Sequence, residues 1–151
     1  MRYGEYEGQD SGVLTMKIFN ANIPTAKEII LELIAKIDKV ERTPREIDAW
    51  LILNLGTDIF GAWVAIENDE PVGVLTCEVV EQETDPKVFI SFCYCEPNLK
   101  ANCCKKLLTK CEEWAKAANV KKLMFYTKRS YRTFEKKYGF KLQKSILEKE
   151  L

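Results

Sequence analysis

The stretch Ala62-Trp-Val-Ala-Ile-Glu-Asn-Asp-Glu-Pro-Val-Gly-Val-Leu-Thr-Cys-Glu-Val-Val80 decides the fold. Its apolar runs, Ala62 to Ile66 and Pro71 to Val80, flank the polar turn Glu67 to Glu70, which predicts an antiparallel hairpin. A second polar turn, Gln82 to Lys87, leads into Val88-Phe-Ile-Ser-Phe-Cys-Tyr-Cys95, a third strand. Working back toward the N-terminus, Val13 to Asn20 reads as a first strand. Thr25-Ala-Lys-Glu28 has the spacing of a helix capping box, followed by the stripe Ile30, Leu33, Ile34 and Ile37. A second box, Thr43-Pro-Arg-Glu46, sets Pro44 at a first helical position, where its missing N–H costs nothing. Ile47, Trp50, Leu51 and Leu55 give that helix an apolar face, and Gly56 is its stop.

Working forward, Lys105 to Ala118 is the clearest helix, with Leu107, Leu108, Cys111, Trp114, Ala115 and Ala118 on one face and Asn119 as its cap. Lys122 to Thr127 reads as a strand, Tyr131 to Lys137 as a short helix, and Lys141 to Leu147 as a last strand after the Gly139 turn. The class is α/β (α+β). Residues 1–11 form a polar, flexible arm and 12–151 a single domain, with no repeat or linker.

The totals narrow the function. The 23 Lys and Arg balance the 23 Asp and Glu, so no overall field favours nucleic acid or an anionic membrane. No apolar run reaches the roughly 18–20 residues that span a bilayer. The charged start, Met1 to Glu7, lacks the apolar core of a secretion signal, so a cytoplasmic protein is expected. Six cysteines accompany no histidine, which excludes a His triad, a His base and a His metal ligand.

Three segments carry a family resemblance: Ala65 to Leu75, Lys105 to Lys116, and Phe134-Glu-Lys-Lys-Tyr-Gly-Phe140. In order and spacing they resemble the second and third strands, the long helix, and the closing helix with its Gly-Phe turn of the GNAT acyl-CoA N-acyltransferase superfamily. The likeness runs from about Val13 to Leu151, and the chain's ending also looks like that of small GNAT-like proteins common in phage genomes. The resemblance implies a mixed, mostly antiparallel sheet flanked by helices. It also implies acetyl-CoA as co-substrate, a primary amine of a small molecule or protein as acceptor, and direct attack within a ternary complex.

In that family a Gly-rich loop opens the long helix, whose amides and positive end receive the CoA pyrophosphate. The end of the fourth strand holds the pantetheine arm. A carboxylate deprotonates the amine, and a Tyr of the last helix protonates the thiolate. Carried onto this chain, the cofactor-binding residues are Tyr94, Cys95, Leu99, Lys100, Ala101, Asn102, Cys103, Cys104 and Lys105. The family's glycine places fall on Asn102 and Cys104, and no glycine occurs between Gly73 and Gly139. Glu135 stands where the family has its Tyr, so Tyr131 or Tyr126 is the substitute acid. Glu78 and Glu96 are the candidate bases.

Other constellations stay open. Cys93, Cys95, Cys103 and Cys104 could approach one another, yet Cys-x-Cys and Cys-Cys do not match zinc-knuckle spacing, and no metal is assigned. A redox-sensitive or disulfide pair is an alternative, because a thiol at a helix N-terminus has a lowered pKa and Cys103 or Cys104 could be reactive. The run Lys121, Lys122, Lys128, Arg129, Arg132, Lys136, Lys137 reads as a solvated face rather than a nucleic-acid surface, and Trp50, Trp63 and Trp114 read as core. A catalytically inactive module serving as a structural or interaction protein, virion-associated if the source is viral, is the competing functional class. The reading allows a homodimer or a larger assembly.

Overall fold

A computed structural model of the 151-residue chain describes residues 16–38, 40–82, 85–125, 131–142 and 149–150. Strand β1 (Met16–Asn20) is followed by a 3-10 turn (Pro24–Ala26), helix α1 (Lys27–Ile34) and helix α2 (Pro44–Asn54). Three strands come next: β2 (Phe60–Glu67), β3 (Glu70–Gln82) and β4 (Asp85–Cys95). A second 3-10 turn (Pro97–Leu99) opens α3 (Lys100–Ala117), and β5 (Leu123–Phe125) and α4 (Tyr131–Tyr138) complete the described elements. The sheet runs β1-β2-β3-β4-β5, antiparallel throughout except for the parallel pair β4–β5. Helices cover both faces, as the resemblance implied.

The central hairpin closes on Asn68 and Asp69, at φ 52° and 60°. Both angles are left-handed, as a two-residue type I′ turn requires, and Asn and Asp tolerate that region better than most residues. One sheet face packs Phe60, Ala62, Val64, Ile66 and Val74 against α1 and α2. The other packs Trp63, Ala65, Leu75, Cys77 and Ile90 against Leu107, Leu108, Cys111 and Ala115 of α3. Asn22 ties the two halves of the first layer. Its amide donates to the carbonyls of Thr57 and Phe60 at 3.0 and 2.8 Å, and its oxygen accepts from the Gly56 N–H at 2.8 Å.

The second capping box forms in full: Thr43 Oγ1 accepts from the Glu46 N–H at 3.2 Å, and Glu46 Oε1 accepts from the Thr43 N–H at 3.1 Å. The first does not. Pro24 starts a 3-10 turn after Ile23, so Thr25 already lies inside the turn, and α1 is entered through Ala26 with no side-chain cap. An N-cap side chain works from an extended residue, and Thr25 is past that point. At the far end of α3, Asn119 (φ 58°) completes a Schellman motif, its N–H bonding the Lys116 carbonyl at 3.0 Å and the Val120 N–H that of Ala115 at 2.9 Å. Ala118 is exposed rather than on the buried face.

The largest departure concerns the start of α3. The helix begins at Lys100, five residues before the expected Lys105. Nothing from Ala101 to Cys104 breaks a helix, and Cys103 (0 % exposed) and Cys104 (7 %) extend its apolar face by one turn. Asn102, Cys103 and Cys104 are therefore helical residues rather than a loop. The expected strand at Lys122–Thr127 appears as Leu123–Phe125, with Tyr126 and Thr127 outside the described residues. The expected last strand, Lys141 to Leu147, lies outside the described residues from position 143 on.

Candidate functional site

The site grows from an irregularity in β4. On β3, Cys77 pairs with Ile90 and Thr76 with Phe92, so Ser91 is left over as a bulge. Its hydroxyl lies 2.8 Å from Thr76 Oγ1 and also donates to the Thr76 carbonyl at 3.1 Å. One extra residue reverses the pleat, so Ile90 faces the α3 core while Phe92 faces α1 and α2. The parallel ladder with β5 ends, among the described residues, at Ile90 and Phe125, although β4 continues to Cys95. Past the bulge, the last residues of β4 run on toward the start of α3.

That helix is held close to the sheet by a missing side chain. Gly73 pairs with Cys95, and a Cβ added there would collide with Cys103 Sγ and sit 3.1 Å from the Tyr94 carbonyl oxygen. The junction is pinned by the Glu96 N–H on the Val72 carbonyl and the Leu99 N–H on the Glu96 carbonyl, both at 2.9 Å. The N-cap of α3 is Leu99, which offers no side-chain acceptor, and the first turn has no acidic residue. The positive end of this 18-residue helix therefore has no built-in anion.

On the α1 and α2 side, Glu96 accepts a hydrogen bond from Lys36 Nζ at 2.9 Å across 60 residues of sequence. That ammonium, helped by the Tyr94 hydroxyl, holds the Glu96 carboxyl below its ordinary value. The same contact raises the Lys36 pKa. Tyr94 is raised, first by partial burial and then by the Glu96 charge. Trp50 forms the wall beside this group, meeting Phe92 edge-on at 5.5 Å and Phe60 at 5.2 Å, with Arg42 5.6 Å above its ring.

On the α3 side, Cys93, Cys95 and Cys104 lie together with Tyr138 of α4 against the core. Cys93 is pushed well up, first by Cys104 and then by Cys95 and burial. The effect of Cys93 on Cys104 is downward, but Cys95 and burial outweigh it, so Cys104 is raised too. This corrects the expectation of a lowered thiol there. With α3 starting at Lys100, Cys104 sits beyond the first turn and is buried. Burial followed by Cys104 also raises Tyr138 above the ordinary phenol value.

The expected site residues divide among several places. Tyr94, Cys95, Glu96 and Leu99 meet at the β4–α3 junction, and Lys100 and Ala101 join them through the helix backbone. Asn102 and Lys105 face the opposite flank, lining a groove of about 410 Å³ with Met16, Ile18, Lys106 and Lys110. Cys103 and Cys104 are core. Glu78 pairs with Phe89 on β4, seven residues before Glu96, or roughly 23 Å along the strand. The two carboxylates therefore cannot serve one reacting centre. Tyr131 begins α4, and its side chain lies outside the described residues. Ser91, Lys36 and Tyr138 were not singled out from sequence. Only Tyr138 left a signal, standing three residues after Glu135 on the same helix.

The chain matches the model of the acetyltransferase (GNAT) family over residues 28–140, and it belongs to that family. Among curated proteins none matches it. Solved structures share the fold. A predicted acetyltransferase of Clostridium acetobutylicum, solved with acetyl-CoA, has a TM-score of 0.76 at 19% identity, over 90% of this chain and 96% of its own. Aminoglycoside N-acetyltransferase AAC(6')-Iy in complex with CoA has 0.77 at 14%, over 95% and 99%. Glucosamine-6-phosphate N-acetyltransferase of Arabidopsis thaliana has 0.69 at 15%, over 90% and 98%. No helix among the described residues is long and apolar enough to cross a membrane.

Proposed function

We propose that this protein transfers the acetyl group of acetyl-CoA to a primary amine of a small molecule or protein. The observation that carries the reading is the N-terminus of α3, which has neither a side-chain cap nor a first-turn acid. Backbone N–H groups and the positive end of a helix N-terminus suit a pyrophosphate. The glycines of the family's loop are not needed for that contact. The helix itself starts early enough for Lys100, Ala101 and Asn102 to present their amides. The main chain of Tyr94 and Cys95, at the end of β4, suits an extended amide-bearing arm, and Leu99 offers it an apolar flank.

Acetyl-CoA supplies the activated acyl carbon when bound. Glu96 takes the proton of the acceptor's ammonium, which displaces Lys36 from the carboxylate, and Trp50, Phe92 and Tyr94 form the wall of the acceptor side. Glu78 is the alternative base, acting in a separate place near Phe89. Tyr131, at the start of α4, is the proposed acid toward the departing thiolate. That CoA, acetyl-CoA and amino-sugar acceptors occur in the names of the fold's neighbours supports the substrate class.

A second reading has its own observation. Asn102 and Cys104 occupy the family's glycine places and Glu135 its Tyr place, which favours an inactive structural or interaction module. A panel of primary amines, assayed for free CoA thiol release from acetyl-CoA, separates the two. Turnover with any amine establishes the transferase. No thiol release with the whole panel, on protein that also fails to bind acetyl-CoA, establishes the inactive module.

A further inference from the structure

The acceptor side already holds a primary amine. Lys36, in the turn that ends α1, keeps its Nζ 2.9 Å from Glu96 Oε1, and its side chain is 43% exposed. The stem is therefore free to swing. Around the ammonium stand Glu96 and Tyr94 at the end of β4 and Glu32 one turn back on α1. Lys27, by contrast, is held by Asp48 and Glu28 on the helix layer.

We propose that Lys36 is an acetylation site of the protein itself, modified by its own bound acetyl-CoA with Glu96 as base. This rests on the transferase reading above. In the step, Glu96 takes one proton from the Lys36 ammonium, and the neutral amine attacks the thioester carbonyl carbon. The N–C bond forms, the C–S bond breaks, and the second proton shed by the attacking nitrogen passes through solvent to the departing CoA thiolate. Holding amine and base in one chain replaces a bimolecular encounter, so the reaction needs no external acceptor. The product amide carries no charge and cannot keep the ion pair. Acetylation therefore releases Glu96 for an incoming ammonium.

Lys36 attacks only as the neutral amine, so self-acetylation speeds up as alkali removes the ammonium proton.

The test incubates the full chain with acetyl-CoA and no other amine, followed by intact mass and peptide mapping. The expected result is one acetyl group, on Lys36, appearing at a first-order rate that does not change with protein concentration. Lys36→Arg should take no acetyl at that position, and Glu96→Gln should slow the modification about a hundredfold. Acetyl groups scattered over exposed lysines such as Lys105 and Lys116, or a rate proportional to protein concentration, would overturn the proposal. Calorimetry with acetyl-CoA on the same sample separates the two levels of failure. Binding without Lys36 acetylation removes this inference and leaves the transferase reading standing. No binding removes both.

Discussion

Gly73→Ala probes how the sheet and α3 are fitted together. The new methyl would overlap Cys103 Sγ, which is fully buried, and would approach the Tyr94 carbonyl and Leu107 Cδ1, at 3.1 and 3.4 Å. Neither a buried thiol at the start of a helix nor a strand carbonyl can turn aside, so the helix must lift. Overpacking of this kind costs about 1–3 kcal/mol, offset by about 0.4–1 kcal/mol from the reduced freedom of the unfolded chain. The net expectation is a loss of about 1–2 kcal/mol, a fall in Tm of about 2–8 °C for a chain of this size. Denaturant unfolding and calorimetry read it.

Cys103→Ala provides the control. Alone it leaves a small void and costs about 1 kcal/mol; combined with Gly73→Ala it removes the overlapping atom. The double variant should be more stable than the sum of the singles by at least about 0.5 kcal/mol. Acetyl-CoA affinity should fall in Gly73→Ala and recover in the double variant, because the same contact sets the distance from α3 to β4. A Gly73→Ala protein as stable as the parent, or strictly additive singles, would refute the packing argument.

Three further outcomes follow from the same geometry. Thr43→Ala removes the side-chain acceptor for the Glu46 N–H and should cost about 1 kcal/mol in denaturant unfolding, without changing acetyl-CoA binding. Asn102→Glu places a carboxylate in the uncapped first turn of α3. It should stabilise the fold by about 0.3–1 kcal/mol while weakening acetyl-CoA in calorimetry, since both compete for one positive end. Lys36→Met removes the cation that depresses the Glu96 carboxyl, which should titrate upward toward its ordinary range in carbon-detected NMR. A depressed carboxyl contributes stability above its unfolded pKa of about 4.3, lost as pH falls through the folded value. The gap between parent and Lys36→Met should therefore be present at neutral pH and close in acid.

Much of the scaffold was legible because it is written in local chemistry. The positive-φ turn at Asn68 and Asp69, the box at Thr43 and Glu46, and the cap at Asn119 each depend on a few adjacent residues. Reading failed where a neighbour outside the window decided. Thr25 has the right spacing for a cap, but Pro24 has already committed the chain to a turn. The start of α3 was placed too late because a loop was expected where Cys103 and Cys104 in fact continue the buried face. The site was harder still. The Ser91 bulge arises from register with β3, and Lys36 reaches Glu96 across 60 positions, so no local pattern announces either.

The N-terminus of α3 and the end of β4 are proposed to hold acetyl-CoA. Isothermal titration of the parent protein with acetyl-CoA tests this proposal most directly. A saturable one-to-one isotherm is expected, weakened by Asn102→Glu, together with a rise in Tm worth about 2.7 kcal/mol at a hundredfold excess over Kd. No heat and no Tm rise at millimolar acetyl-CoA would contradict it.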